Sequence, residues 1–340
     1  MTDPAGAIKV NNNGHASQSD WVLVGEGSLK GVTLMVSRSS GEVVSLSTRC
    51  CRDDDRFDQV PDLTKYPALA VLDLHKSRYI TEFDASVLSM PHNLRRLLLS
   101  RCEKLCAIAP SLGTLTNLTE LNLYDSPLVA SLPEEIGNLT NLKKLTFGGS
   151  NGVTNKALKA LPESLGKLRS LEELNLDSCK ALRTLPESVG QLKKLTTLHL
   201  RACKQFSDLP ESIGFCTNLV DVVFSKCTSL KRLPESIGNW SELEDLNLTK
   251  CKSLTVIPDG IGDCKRLVHL NLRACSNLES VPVTLENLPR LRTLDLTMCD
   301  SLKMVPTWLV GVSWRMDPLD FSDRVKAQKQ LAEKKASMEE

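Results

Sequence analysis

Seven cysteines, at 102, 179, 203, 227, 251, 275 and 299, are the residues best suited to chemistry in this chain, and the last six recur every 24 residues. A thiolate is a nucleophile, a metal ligand and half of a disulfide, so spacing has to decide among these uses. Zinc sites take close pairs such as C-x-x-C that converge tetrahedrally, and one cysteine per 24 residues does not converge. Disulfides between neighbours in such a column are within reach but are not expected in a reducing cell. The same column carries Ser77, Ser126 and Ser150. Exchange with serine marks a small core slot with weak hydrogen-bonding capacity. Cys216 and Cys264 stand where other copies have Leu192 and Leu288, and read as core too. Cys50, Cys51 and Cys106 fall outside both columns.

Other chemistry is not written in the chain. It has no G-x-S-x-G elbow, no P-loop, no H-E-x-x-H and no kinase motif set. The five histidines, His15, His75, His92, His199 and His269, have no second ligand at metal spacing. The run Asp53-Asp54-Asp55 reads as a solvated loop, because no EF-hand spacing surrounds it. The expectation is a non-enzymatic chain with no cofactor and no metal.

The elements that position the cysteines come from a repeat. Its clearest copy runs from Leu171 to Leu192, with Leu171, Leu174, Leu176, Cys179, Leu182, Leu185-Pro186, Val189-Gly190 and Leu192 as the skeleton. First leucines stand at 69, 94, 118, 142, 171, 195, 219, 243, 267 and 291, which makes ten copies. A fixed period of this size is the signature of a solenoid. Leu174 and Leu176 alternate with polar residues, as a half-buried strand requires. So short a strand buries its leucines only when coils stack in parallel. Pro186 imposes an extended or turned path on the outer side, and Gly190 suits a tight return. The interval from 142 to 171 is 29 residues instead of 24, which places five extra residues within 151–159. Insertions in solenoids map to loops.

With its L-x-x-L-x-L-x-x-C-x-x-L-x-x-L-P-x-x-[IV]-G-x-L skeleton, the chain resembles intracellular leucine-rich repeat proteins, and the arrays of plant disease-resistance proteins in particular. The resemblance covers about Tyr66 to Val310. It implies an α/β solenoid, a leucine-rich repeat horseshoe with a parallel β-sheet on the concave face. It also implies a protein–protein interaction scaffold that uses that face in intracellular signalling or defence-type recognition. The alternative is the substrate-recognition subunit of an enzyme complex such as a ubiquitin ligase.

Composition narrows the partners. Among 340 residues, 42 are basic and 41 acidic, a net charge of +1 that gives no global pull toward nucleic acid or anionic membrane. Aromatics are 4%, too few for base-stacking platforms. No apolar run reaches the roughly 18 residues of a membrane span. The first twenty residues have no apolar core and do not read as a secretory signal, so a cytoplasmic, monomeric protein with protein partners is expected. Four segments follow. Residues 1–20 read as disordered, and 21–65, with its apolar runs at Trp21–Val24, Val32–Val36 and Val43–Leu46, as a β-rich cap. Residues 66–317 form the repeat domain. Residues 318–340 read as a charged helix with Ser322 as a possible N-cap.

The concave face exposes positions 3, 5, 7 and 8 of each L-x-x-L-x-L-x-x-C. The candidate partner-binding residues there are Glu173, Asn175, Asp177, His199, Arg201, Asp221, Lys226, Asp245, Asn247, Lys250, His269, Asn271, Arg273 and Asp295. Arg201, Lys226, Lys250 and Arg273 are expected to form a basic ridge at one edge. Glu173, Asp221, Asp245 and Asp295 should form an acidic column beside it.

Overall fold

The structure is a computed structural model, and it describes residues 21–24, 33–37, 40, 42–47, 60, 62–88, 93–149, 153–303 and 314–315. The segments 1–20 and 318–340, Cys50, Cys51, Asp53–Asp55 and the apolar run 308–310 lie outside the described residues.

The ten repeat copies each supply one three-residue strand: β4 (Val71–Asp73), β6 (Arg96–Leu98), β8 (Glu120–Asn122), β9 (Lys144–Thr146), β10 (Glu173–Asn175), β11 (Thr197–His199), β12 (Asp221–Val223), β13 (Asp245–Asn247), β14 (His269–Asn271) and β15 (Thr293–Asp295). All are parallel to their neighbours. Two further short strands, β5 (Glu82–Phe83) and β7 (Ala107–Ile108), pair separately on the return path. Ahead of the array, β1 (Trp21–Val24) and β2 (Thr33–Ser37) form an antiparallel pair. Next to β2, β3 (Val43–Ser47) turns the sheet parallel by joining β4. At the far end, β16 (Trp314–Arg315) adds to β15.

Register explains why the leucines are needed. Leu46, Leu72, Leu97, Leu121, Leu145, Leu174, Leu198, Val222, Leu246, Leu270 and Leu294 face one another across successive strands. Each is at most 1% exposed. Full burial of one such side chain is worth about 1.5–3 kcal/mol. No coil could gain this alone, since its leucines are covered by the coils on either side.

The strands hand over to a turn that repeats in every described coil except one. Position 8 adopts a left-handed backbone at Lys76, Arg101, Asp125, Ser178, Ala202, Lys226, Lys250, Ala274 and Met298. That conformation presents the position 8 N–H to the position 7 carbonyl of the next coil, as in Ser178 to Arg201 at 2.6 Å and Lys250 to Arg273 at 2.7 Å. Backbone bonding therefore runs between coils, and each coil templates its neighbour.

From the second coil on, the return path carries five-residue 3-10 helices, among them Glu187–Gln191, Glu211–Phe215 and Glu235–Asn239. Pro186, Pro210 and Pro234 sit at their N-caps with φ from −66° to −72°, the value the ring imposes. The glutamate after the proline reaches the next coil: the Glu163 carboxylate accepts from the Ser188 N–H at 3.1 Å, and Glu235 from Gly260 at 3.1 Å. Gly190 is required by proximity. A Cβ there would lie 2.4 Å from the Ser212 carbonyl oxygen, and the backbone is not left-handed. The expectation of a tight return at Gly190 is thus replaced by one of close coil stacking.

Both cysteine columns are core. In the first, Cys203, Cys227, Cys251, Cys275 and Cys299 each donate the thiol to the position 6 carbonyl one coil earlier, at 3.0 to 3.2 Å. Ser126 makes the same bond to Leu99 at 2.7 Å, which is why serine can take the slot. In the second, Cys216 donates to Val189 at 3.2 Å and Cys264 to Ile237 at 3.3 Å.

Candidate functional site

The thiols are placed to hold coils together and not to react. Burial pushes the Cys102, Cys179, Cys264 and Cys275 thiols up to about 12 and Cys216 up to about 11. All ten described cysteines are free, and only Cys106 among them is exposed. No group of three His, Cys, Asp or Glu side chains among the described residues is arranged to hold a metal ion.

The insertion is also partly internal. Asn155 is 5% exposed and Leu158 is fully buried. The Asn155 amide donates to the Val129 carbonyl at 2.8 Å, and its oxygen accepts from the Ala157 and Leu158 N–H groups, each at 2.8 Å. It also bridges in parallel to Cys179. What reads as loop in the sequence is therefore pinned through its second half, with Val153 left on the surface.

The concave face is organised in rows across the strands. Position 3 runs Arg96, Glu120, Lys144, Glu173, Thr197, Asp221, Asp245, His269 and Thr293 in register. In its first half the charges alternate and pair. Arg96 meets Glu120 at 2.6 Å, and Lys144 meets Glu173 at 2.6 Å. In its second half they do not alternate. Asp221 and Asp245 stand side by side, between Thr197 on one side and His269 on the other, and His199 of position 5 reaches Asp221 diagonally. His199 Nε2 lies 2.9 Å from an Asp221 carboxylate oxygen, and His269 Nδ1 lies 2.7 Å from the Thr293 hydroxyl. No described lysine or arginine pairs with Asp221, Asp245 or Asp295. Burial raises the Asp245 carboxyl, Asp221 and Glu244 push the same way, and His269 opposes them.

Position 5 has a structural duty that the sequence reading missed. The side-chain oxygen of Asn175 accepts from the Asp177 N–H at 2.9 Å, Asn247 from Thr249 at 3.0 Å, Asn271 from Arg273 at 3.1 Å and Asp295 from Thr297 at 3.0 Å. Asp73 and Asn122 do the same in earlier coils. These residues close the strand as Asx-type turns, so they are not merely solvated face residues. Their recurrence at one position of six coils is the signal that could have shown it.

The remaining candidates divide. Asp177 is largely buried; its carboxylate accepts from the Arg201 N–H at 2.7 Å and sits 3.7 Å from the Arg201 guanidinium. Burial raises its carboxyl, against the Arg201 hydrogen bond and the nearby His199 and Arg201 charges. Asp177 is therefore an anchor for Arg201. Lys226, Lys250 and Arg273 are exposed and join no ion pair among the described residues. Arg201 and Arg273 occupy position 7 whereas the two lysines occupy the left-handed position 8, so the four cations are divided between two positions instead of forming one row. The structure brings together Asp221, Asp245, Asn247, His269, Asn271 and Asp295, which line a concave depression of about 570 Å³ with Val223 and Thr293. It leaves Glu173, Asn175 and Asp177 outside that depression.

A family model described as a leucine-rich repeat region matches residues 50–181. The same skeleton and the same strand register continue from there to Leu302. The fold is a leucine-rich repeat solenoid. Among solved leucine-rich repeat structures, the domain of the type III effector XopL is similar at 27% identity, covering 59% of this chain and 68% of that one with a TM-score of 0.48. A leucine-rich repeat protein of Leptospira interrogans is similar at 24% identity, covering 76% and 81%, with a TM-score of 0.38. The plant peptide hormone receptor RGFR1, solved in complex with RGF2, is similar at 21% identity, covering 85% and 57%, with a TM-score of 0.32. The parallel sheet and leucine columns are those of a leucine-rich repeat solenoid, a fold that serves generally as a protein-binding scaffold. Its helical component here is 3-10 throughout the described residues.

Proposed function

We propose that this leucine-rich repeat protein is a non-enzymatic binding scaffold, with its partner protein seated on the concave face over β12–β15. One observation carries this reading. The sheet face there is hollowed into a depression lined by carboxylates, carboxamides and a histidine, whereas the neighbouring stretch of the same face is closed by its own ion pairs. A site on rigid strands, with polar groups left open to a partner, fits recognition better than catalysis. The resemblance to disease-resistance arrays extends the proposal to intracellular signalling or defence-type recognition in the cytoplasm.

The test is site-specific photo-crosslinking in extracts of the native cell. A crosslinking amino acid at Thr293, on the concave face, should give discrete protein adducts. The same group at Glu211, on a 3-10 helix of the opposite side, should not. Adducts confined to Glu211, or the same adducts at both positions, would overturn the reading.

A further inference from the structure

Resting on the concave-face reading, we propose that the surface over β12–β14 recognises a basic, extended segment of its partner protein and seats an arginine or lysine side chain between Asp221 and Asp245.

The first reason is charge that no described lysine or arginine compensates. Asp221 and Asp245 are direct cross-strand partners, about 4.8 Å apart along the hydrogen-bonding direction. Like charges so placed destabilise a sheet. Earlier in the same row the fold avoids this by alternation, with Arg96 beside Glu120 and Lys144 beside Glu173. Beside β12 and β13, the basic side chains that reach these carboxylates among the described residues are imidazoles, from β11 and β14. His199 contacts Asp221, while His269 engages the Thr293 hydroxyl. Asp245 accepts no side-chain hydrogen bond and joins no ion pair among the described residues. Its carboxyl is held above the usual range by burial, by Asp221 and by Glu244, so a cation brought to it relieves an existing cost.

The second reason is the row beside it. Asn247 and Asn271 spend their oxygens on the Thr249 and Arg273 N–H groups. Their Nδ2 groups have no partner among the described residues and remain as donors. Donors repeated one strand spacing apart suit the carbonyls of an extended main chain. Carboxylates for a cationic side chain and amides for a peptide backbone together describe a basic polypeptide. Phosphate-bearing ligands are repelled by the same carboxylates, and a depression of about 570 Å³ has room for more than one side chain.

The probe is a library of random twelve-residue peptides displayed on phage and panned against the intact protein. Selected peptides should be enriched in arginine or lysine. A synthetic copy should lose about tenfold or more in affinity, read by fluorescence anisotropy, on Asp221→Asn/Asp245→Asn and on Asp245→Asn alone, as a desolvated charge contact predicts. Neither variant should melt below the wild type, because each removes repulsion. Selection of peptides without basic residues, equal binding by wild type and variants, or no selection at all would each overturn the inference. The two readings fail separately. If crosslinks at Thr293 persist unchanged in the double variant, the concave face binds a partner but not through these carboxylates.

Discussion

Trp240 donates its indole N–H to the Ile213 carbonyl at 3.0 Å, which makes it the tryptophan member of a cysteine column. One coil earlier Cys216 makes the equivalent bond to Val189, and one coil later Cys264 makes it to Ile237. The slot selects burial, since Leu192 and Leu288 fill it in other coils, and its size and its use of a donor are negotiable between coils. Trp240→Phe keeps most of the volume and removes the donor. It should cost about 0.5–1.5 kcal/mol, the net worth of one hydrogen bond, because the Ile213 carbonyl still accepts from the Cys216 N–H. Urea unfolding followed by circular dichroism measures it, and a loss below a few tenths would show that the bond is incidental.

Alkaline pH should expose the thiol columns. Burial raises the Cys102, Cys179, Cys203, Cys216, Cys251, Cys264 and Cys275 thiols above the usual 9.0, to about 12 at Cys102, Cys179, Cys264 and Cys275. A raised folded value stabilises the fold fully below pH 9 and loses that contribution as pH rises toward 12. Melting temperature should therefore decline through that window. Removing one contributor by Cys251→Ser should flatten the decline, with the hydroxyl bonding the Phe224 carbonyl as Ser126 bonds Leu99. A pH-independent melt between 9 and 12 would count against burial of the thiols.

Leu246 and Asn247 point to opposite sides of β13, yet both should matter. Leu246 is 1% exposed, and Leu246→Ala should cost about 2–5 kcal/mol as a cavity. Asn247→Ala removes the acceptor for the Thr249 N–H and should cost about 0.5–1.5 kcal/mol, more than an ordinary surface change. Asn247→Asp, which keeps the acceptor, should recover most of it. Chemical denaturation of the three variants separates the effects, and a neutral Asn247→Ala would remove the turn-closing role.

Gly190→Ala tests the coil spacing. Its methyl group would meet the Ser212 carbonyl oxygen at 2.4 Å, and a backbone atom cannot rotate away. A loss of about 1–3 kcal/mol is expected, with fast hydrogen exchange appearing first around 186–216. A stabilised variant would mean that the coils can separate at little cost.

The solenoid was legible because Leu174, Leu176 and Cys179 recur at fixed intervals and each has one physical task. Legibility ended where a polar residue performs an internal task. Asn247 and Asp177 look like face residues in the sequence, since they alternate with leucines. Only coordinates show that one closes a turn and the other holds the Arg201 backbone. Asn155 misleads in the same way: a polar residue in an insertion reads as loop, whereas here it is buried and makes hydrogen bonds at both ends of its amide. The depression over β12–β15 could not be read from residue types alone. It depends on which carboxylates lack a cation in the next strand, and that is a matter of register.

The left-handed residue after each strand has a consequence for how heat-resistant this array is. Nine side-chain-bearing residues hold φ between 56° and 65°. Each costs roughly 1 kcal/mol relative to glycine, so together they rival the net stability of an ordinary domain. A chain shaped only to melt late would carry glycine at all nine. This one keeps Lys226, Lys250 and Met298 there instead, and accepts a lower ceiling of thermostability in exchange for side chains along that rim.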